Sequence, residues 1–111
     1  MNSMDKFTIS EMQEMQKLLQ EKYKDKWEPI CAEVGQNKLL WMIGEIGEVI
    51  DIVKKYGGTK ASSAPNLRTE LIEEIADVLM YFNDVMLCYG ITEEELKESY
   101  VAKFKRNMER W

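Results

Sequence analysis

Apolar residues recur at steps of three and four along most of the chain, the spacing of helices that each cover one face. Met12, Met15, Leu18, Leu19 and Tyr23 share one side of a first segment, opened by Ser10-Glu-Met-Gln13 in the form of a capping box and closed before Pro29, which predicts a helix over about 11–26. Leu39, Ile43, Ile46, Ile50 and Val53 predict a second helix over about 37–56, ended by Gly57-Gly58. The small, polar stretch from Gly57 to Pro65 reads as a loop, either a lid or a passive connector. Leu71, Ile75, Val78, Phe82 and Val85 restore helical spacing over about 66–89, up to Gly90. Thr92-Glu-Glu-Glu95 is a second capping box, and Leu96, Tyr100 and Phe104 continue its helix over about 93–110, toward Trp111. No segment alternates with period two, so the expected fold is all-α: one four-helix domain spanning residues 1–111.

The second helix carries more than a core stripe. Advancing about 100° per residue, Trp41, Glu45, Glu48 and Ile52 fall within an arc of roughly 60°, almost opposite Leu39, Ile43, Ile46, Ile50 and Val53. Acids set between large apolar groups predict a second covered face that contains charge, and covered charge needs a cation or a basic partner. Gly44 and Gly47 in the same helix fit close packing. On the third helix Glu70, Glu74, Asp77 and Tyr81 form a stripe beside the core positions. Antiparallel packing of these two helices brings Glu45, Glu48, Glu74 and Asp77 to one level around a shared cavity.

Four carboxylates without a histidine favour a hard, oxygen-loving ion, magnesium or manganese, over the di-iron centres of other helical bundles. Asp51 and Glu70 read as solvated acids or supports of the metal shell, and Asp84 as solvated. The methionines read as adaptable core or interface filler.

Composition narrows the function classes. A chain of 111 residues with 45% hydrophobic content supports one core. A net charge of −5 opposes a nucleic-acid partner, because a polyanion requires a basic surface. No run reaches the roughly 18 apolar residues of a membrane span, and Met1 to Ser10 lacks the apolar run of a signal peptide, so a cytoplasmic location is expected. Cys31 and Cys88 have neither zinc-site spacing nor a disulfide framework and are expected as reduced thiols.

Glu45-x-x-Glu48 and Glu74-x-x-Asp77, separated by 25 residues, resemble the signature of the all-α nucleoside triphosphate pyrophosphohydrolases, the superfamily of MazG, dimeric dUTPases and dCTPases. Ile43-Gly-Glu-Ile-Gly-Glu-Val49 and Glu73-Glu-Ile-Ala-Asp-Val-Leu79 resemble its two acidic helix motifs, and Lys103-Phe-Lys-Arg-Asn107 with Arg110-Trp111 resembles its Lys-x-x-x-Asn element. The resemblance covers about Asn37 to the C-terminus. It implies a MazG-like bundle and magnesium-dependent hydrolysis of a nucleoside triphosphate to its monophosphate and pyrophosphate, in nucleotide-pool sanitation or balance.

It also implies Glu45, Glu48, Glu74 and Asp77 as metal ligands and catalytic residues, with one glutamate as an alternative general base through a water. Lys103 and Asn107 are implied as contacts to phosphate or sugar. Tyr81 occupies the position of a base-stacking aromatic, with ordinary packing as its alternative, and Trp41 reads as a pocket wall or a dimer contact. Lys55 departs from the Trp that some dCTP pyrophosphatases carry at this register, which puts cytosine preference in doubt.

A helix apolar on two sides leaves more hydrophobic surface than one small core covers, so a homodimer or homotetramer is expected. The rival function class is a non-catalytic helical interaction module, docking through the second stripe of the second helix and pairing its acids with lysine or arginine across the interface.

Overall fold

The computed structural model describes residues 6–110. Trp111 and residues 1–5 of the N-terminal segment lie outside them. Among the described residues the chain forms five helices and no strand: α1 Ile9–Lys22, α2 Gly35–Tyr56, α3 Gly58–Ser63, α4 Pro65–Cys88 and α5 Glu93–Arg110, with a 3-10 turn at Ala32–Val34 before α2.

The helix ends show why the elements stop where they do. α1 is capped by Thr8, whose hydroxyl accepts the Glu11 N–H at 3.1 Å, two residues earlier than the expected Ser10 cap. Ser10 instead donates to Glu93 at 2.5 Å and ties the start of α1 to the start of α5. α1 ends at Lys22 rather than near Lys26, because Trp27 folds back to stack on Tyr23, with ring centroids 4.7 Å apart. Gly57, at φ +82°, ends α2 with its N–H on the Val53 carbonyl, a conformation that favours glycine.

The stretch expected as a loop is helix α3. Ala61 N–H donates to the Gly57 carbonyl, and the Ala61 methyl is fully buried where α3 packs against α2 and α4. The small residues that suggest a loop are the ones that let a short helix pack closely. Ala64 is extended, as a residue before proline prefers, and Pro65 opens α4 at its first turn. At the other end, Gly90 takes φ +65° and Ile91 N–H reaches the Met86 carbonyl, closing α4 with a left-handed glycine turn. Thr92 and Glu95 then form the expected reciprocal cap of α5.

α2 and α4 make the main packing pair, with α1 laid on α4. Lys38 meets Asp84 while Glu45 meets Asp77 and Glu74, so numbering rises along α2 as it falls along α4 and the pair is antiparallel. The inward face of α2 is the one that carries the acids: Ile52 is 7% exposed. The stripe expected as core lies outside, with Ile43 64% and Ile50 50% exposed. Burial follows neither expected stripe as a whole: Trp41, at 60%, and Glu48 are exposed like Ile43 and Ile50, and the face that packs on α4 runs through Lys38, Glu45 and Ile52. α4 repeats this at Ile75, an expected core position that is exposed.

α1 departs similarly. Leu18 points out, whereas Gln13 and Gln16 are buried and bond to α4 and its C-terminal turn. α5 leaves α4 at a bend of 108° and buries none of its residues. No single helix among the described residues is long and apolar enough to cross a membrane.

Candidate active site

Helical geometry on two antiparallel neighbours gathers the acids. Glu45 projects from the middle of α2, and Glu74 and Asp77, one turn apart on α4, answer it. One carboxylate oxygen from each of Glu45, Glu74 and Asp77 lies within 4.8 Å of the others. Glu48, one turn beyond Glu45, stands outside that group of three, although its charge reaches Glu74.

The electrostatics record the crowding. Burial, followed by the charges of Asp77, Glu45 and Glu48 and a hydrogen bond with Glu45, pushes the Glu74 carboxyl above its ordinary range. Among the described residues no lysine or arginine forms a salt bridge with these acids. Three oxygen donors converging without a basic partner suit a hard divalent cation, which would relieve the mutual repulsion that raises the Glu74 carboxyl. The donor set therefore fits magnesium or manganese.

A cavity of about 350 Å³ opens beside the carboxylates, with Glu45 and Asp77 on its wall. Its apolar sides come from Leu19 of α1, Trp27 of the α1–α2 connection, Trp41 of α2, and Tyr81 with Met80 of α4. Burial, and then the nearby charges of Glu45, Asp84 and Asp77, pushes the Tyr81 phenol above its ordinary value, so it stays protonated at neutral pH.

The polar end of the cavity holds Lys38, 7% exposed, and Asp84, 4% exposed. Asp84, expected as solvated, is buried because α1 lies across it: Gln16 donates to its Oδ1 at 2.8 Å and Gln20 to the same oxygen at 3.4 Å. Lys38 Nζ stands 3.8 Å from Oδ2.

Glu45, Glu74 and Asp77 thus come together, Glu48 stands alongside, and Trp41 and Tyr81 line the adjoining cavity. Lys103 and Asn107 do not join them; both are exposed on α5 and outside the cavity wall. Residues 34–110 match the MazG nucleotide pyrophosphohydrolase domain. The chain belongs to the MazG family. The MazG match makes this a nucleotide pyrophosphohydrolase domain, and it includes α2, α4 and α5 with every acid of the cluster. No curated protein and no solved structure matches the chain.

Sequence reasoning about the MazG acids missed Lys38, Gln16, Gln20 and Trp27, and read Asp84 as solvated where it is buried. Two of these carried a signal. Lys38 lies one turn before Trp41 on the acidic face of α2, and Asp84 one turn after Tyr81 on that of α4, so extending each stripe by a turn finds both. The glutamines and Trp27 carry no such signal, since only the placement of α1 brings them to the cavity.

Proposed function

We propose that this MazG domain hydrolyses a nucleoside or deoxynucleoside triphosphate at the α-phosphorus, releasing the monophosphate and pyrophosphate, with magnesium as cofactor and manganese as a substitute, in nucleotide-pool sanitation or balance. The observation that carries this is the convergence of Glu45, Glu74 and Asp77 within 4.8 Å at the edge of an aromatic cavity. When bound, the divalent ion supplies charge neutralisation for the phosphates and acidifies a water.

Glu45, Glu74 and Asp77 hold that ion. Glu48, close enough to act on Glu74 yet outside the group of three, completes the shell or takes the proton of the attacking water. Trp41 and Tyr81 wall the base, with the Tyr81 hydroxyl as a neutral donor. An acidic chain meets a triphosphate at this place because the cation intervenes between them.

The same proposal extends to assembly. The exposed stripe of Leu39, Ile43, Ile46 and Ile50 on α2, and Tyr100, Phe104 and Met108 on α5, are apolar surfaces that a second copy would cover, as a homodimer or homotetramer. Association brings α5 of one copy within reach of the carboxylates of another, and with it Lys103 for phosphate and Asn107 for sugar or phosphate.

The test is a nucleotide panel with magnesium, following pyrophosphate release in the unaltered protein and in Glu45→Gln and Asp77→Asn. Release that stops in both variants is expected. Absence of turnover on every nucleotide would sink the proposal and favour the interaction-module alternative.

A further inference from the structure

The cavity has two ends, and the acids explain only one. At the other, a lysine and an aspartate are withdrawn from solvent side by side, in a place where a neutral packing pair would serve the fold at lower desolvation cost. Their geometry is unfinished. At 3.8 Å, Lys38 Nζ and Asp84 Oδ2 are attracted but lie beyond hydrogen-bond distance. Gln16 and Gln20 both donate to Oδ1, so among the described residues Oδ2 accepts no hydrogen bond and the Lys38 ammonium donates none.

The two carboxamides also fix the sense of the site. An ionised carboxylate only accepts, so the Gln16 and Gln20 NH₂ groups must turn toward Asp84. The cavity end therefore offers one open acceptor, Oδ2, immediately beside one open donor, the ammonium.

We propose that Lys38 and Asp84, held by Gln16 and Gln20, read the edge of the nucleobase and select bases that carry an exocyclic amine next to an unprotonated ring nitrogen, namely cytosine or adenine. The amine donates to Asp84 Oδ2 and the ring nitrogen accepts from Lys38 Nζ. Trp27, Trp41 and Tyr81 supply the apolar walls for the flat ring. A carboxylate aligned by two amides and an adjacent cation is a fixed acceptor–donor pair. In the same seat the keto counterparts, uracil and hypoxanthine, set a carbonyl against Oδ2 and a ring N–H against the ammonium, leaving both unpaired, and they pair with the site only if the ring shifts away from that seat. A site built on buried polar groups discriminates strongly against a ligand that leaves them unpaired. This inference rests on the proposed nucleotide hydrolysis only for the identity of the ligand class; the pair itself is a property of the fold.

The experiment compares substrates that differ by amine against carbonyl alone: dCTP with dUTP, and dATP with dITP. It measures kcat and KM with magnesium. Binding of the same four nucleotides with calcium in place of magnesium is followed by tryptophan fluorescence. The amino member of at least one pair is expected to be favoured tenfold or more in kcat/KM and in affinity, the two arms telling cytosine from adenine. Asp84→Asn and Lys38→Met should bring that ratio close to one, chiefly through KM, whereas a merely structural role would lower all four substrates alike.

Equal use of both members of each pair, a preference for the keto member, or a uniform loss in the variants overturns the inference while leaving hydrolysis standing. Amine-selective binding without any turnover supports the inference and removes the hydrolytic function. The unaltered protein's own ratio decides the matter even if both variants fail to fold.

Discussion

The two faces of α2 are both rich in large apolar residues, yet they meet opposite fates. The inward face carries Lys38, Glu45 and Ile52 and lies against α4, with the exposed Trp41 at its edge; the outward face carries Leu39, Ile43, Ile46 and Ile50, which the chain leaves exposed. The more uniformly hydrophobic face is the exposed one. The face that carries Lys38 and Glu45 receives the intramolecular partner, α4. The purely apolar face needs only a complementary surface, which a second copy can provide. Burial within one chain therefore follows the placement of the charged residues here, and the more hydrophobic face stays exposed.

The largest expected effect tests the inward face. Asp77→Asn or Glu45→Gln should lower pyrophosphate release by more than about a hundredfold, beyond the roughly 10–100-fold typical of groups that only support metal ligands. Thermal melting without metal should not fall in either variant, since each removes a repelling charge from the neighbourhood of Glu74. A loss of melting temperature would mean that the acids serve the fold.

The next tests the outward face. Ile43→Asp should shift sedimentation toward the 13.1 kDa protomer and reduce turnover. The same particle size before and after would break the contrast between the two faces. Gly35→Ala sharpens it from a third place: a Cβ at Gly35 would run into the Tyr89 ring, so it should cost about 1–3 kcal/mol in denaturant unfolding at unchanged assembly.

Magnesium should raise the melting temperature, by about 2.7 kcal/mol of stabilisation at a hundredfold excess over its Kd. Without it, the raised Glu74 carboxyl binds protons more tightly folded than unfolded, so stability should increase as pH falls from neutrality toward that raised value. Magnesium should abolish that slope, and a slope unaffected by the ion would separate Glu74 from the metal site.

The smallest effect belongs to Ser10→Ala. The Ser10 hydrogen bond holds the Glu93 carboxyl below its ordinary value, a contribution present at neutral pH and lost as pH falls through the lowered value. The variant should melt slightly lower at neutral pH and no differently in acid.

Much of this was legible in the chain. Four long helices follow from apolar spacing, and Thr92 and Glu95 cap α5 as their identities foretell, because capping depends on residues within one turn. α3 was missed because six residues are too short to show a period. The Thr8 cap was missed because Ser10 offers equivalent chemistry two residues later, and its hydroxyl was drawn instead to Glu93, remote in sequence.

The sequence by itself determined the four long helices, the acidic spacing that places Glu74 and Asp77 one turn apart, and the lack of histidine that limits the ion. These are local properties, set by helical pitch and side-chain chemistry. Only the tertiary structure decided which face of α2 turns inward, that Glu45 joins Glu74 and Asp77 while Glu48 stands beside them, and that α1 lays Gln16 and Gln20 across Asp84. Those outcomes depend on the register between helices, which arises from packing among residues far apart in sequence and leaves no period in the chain.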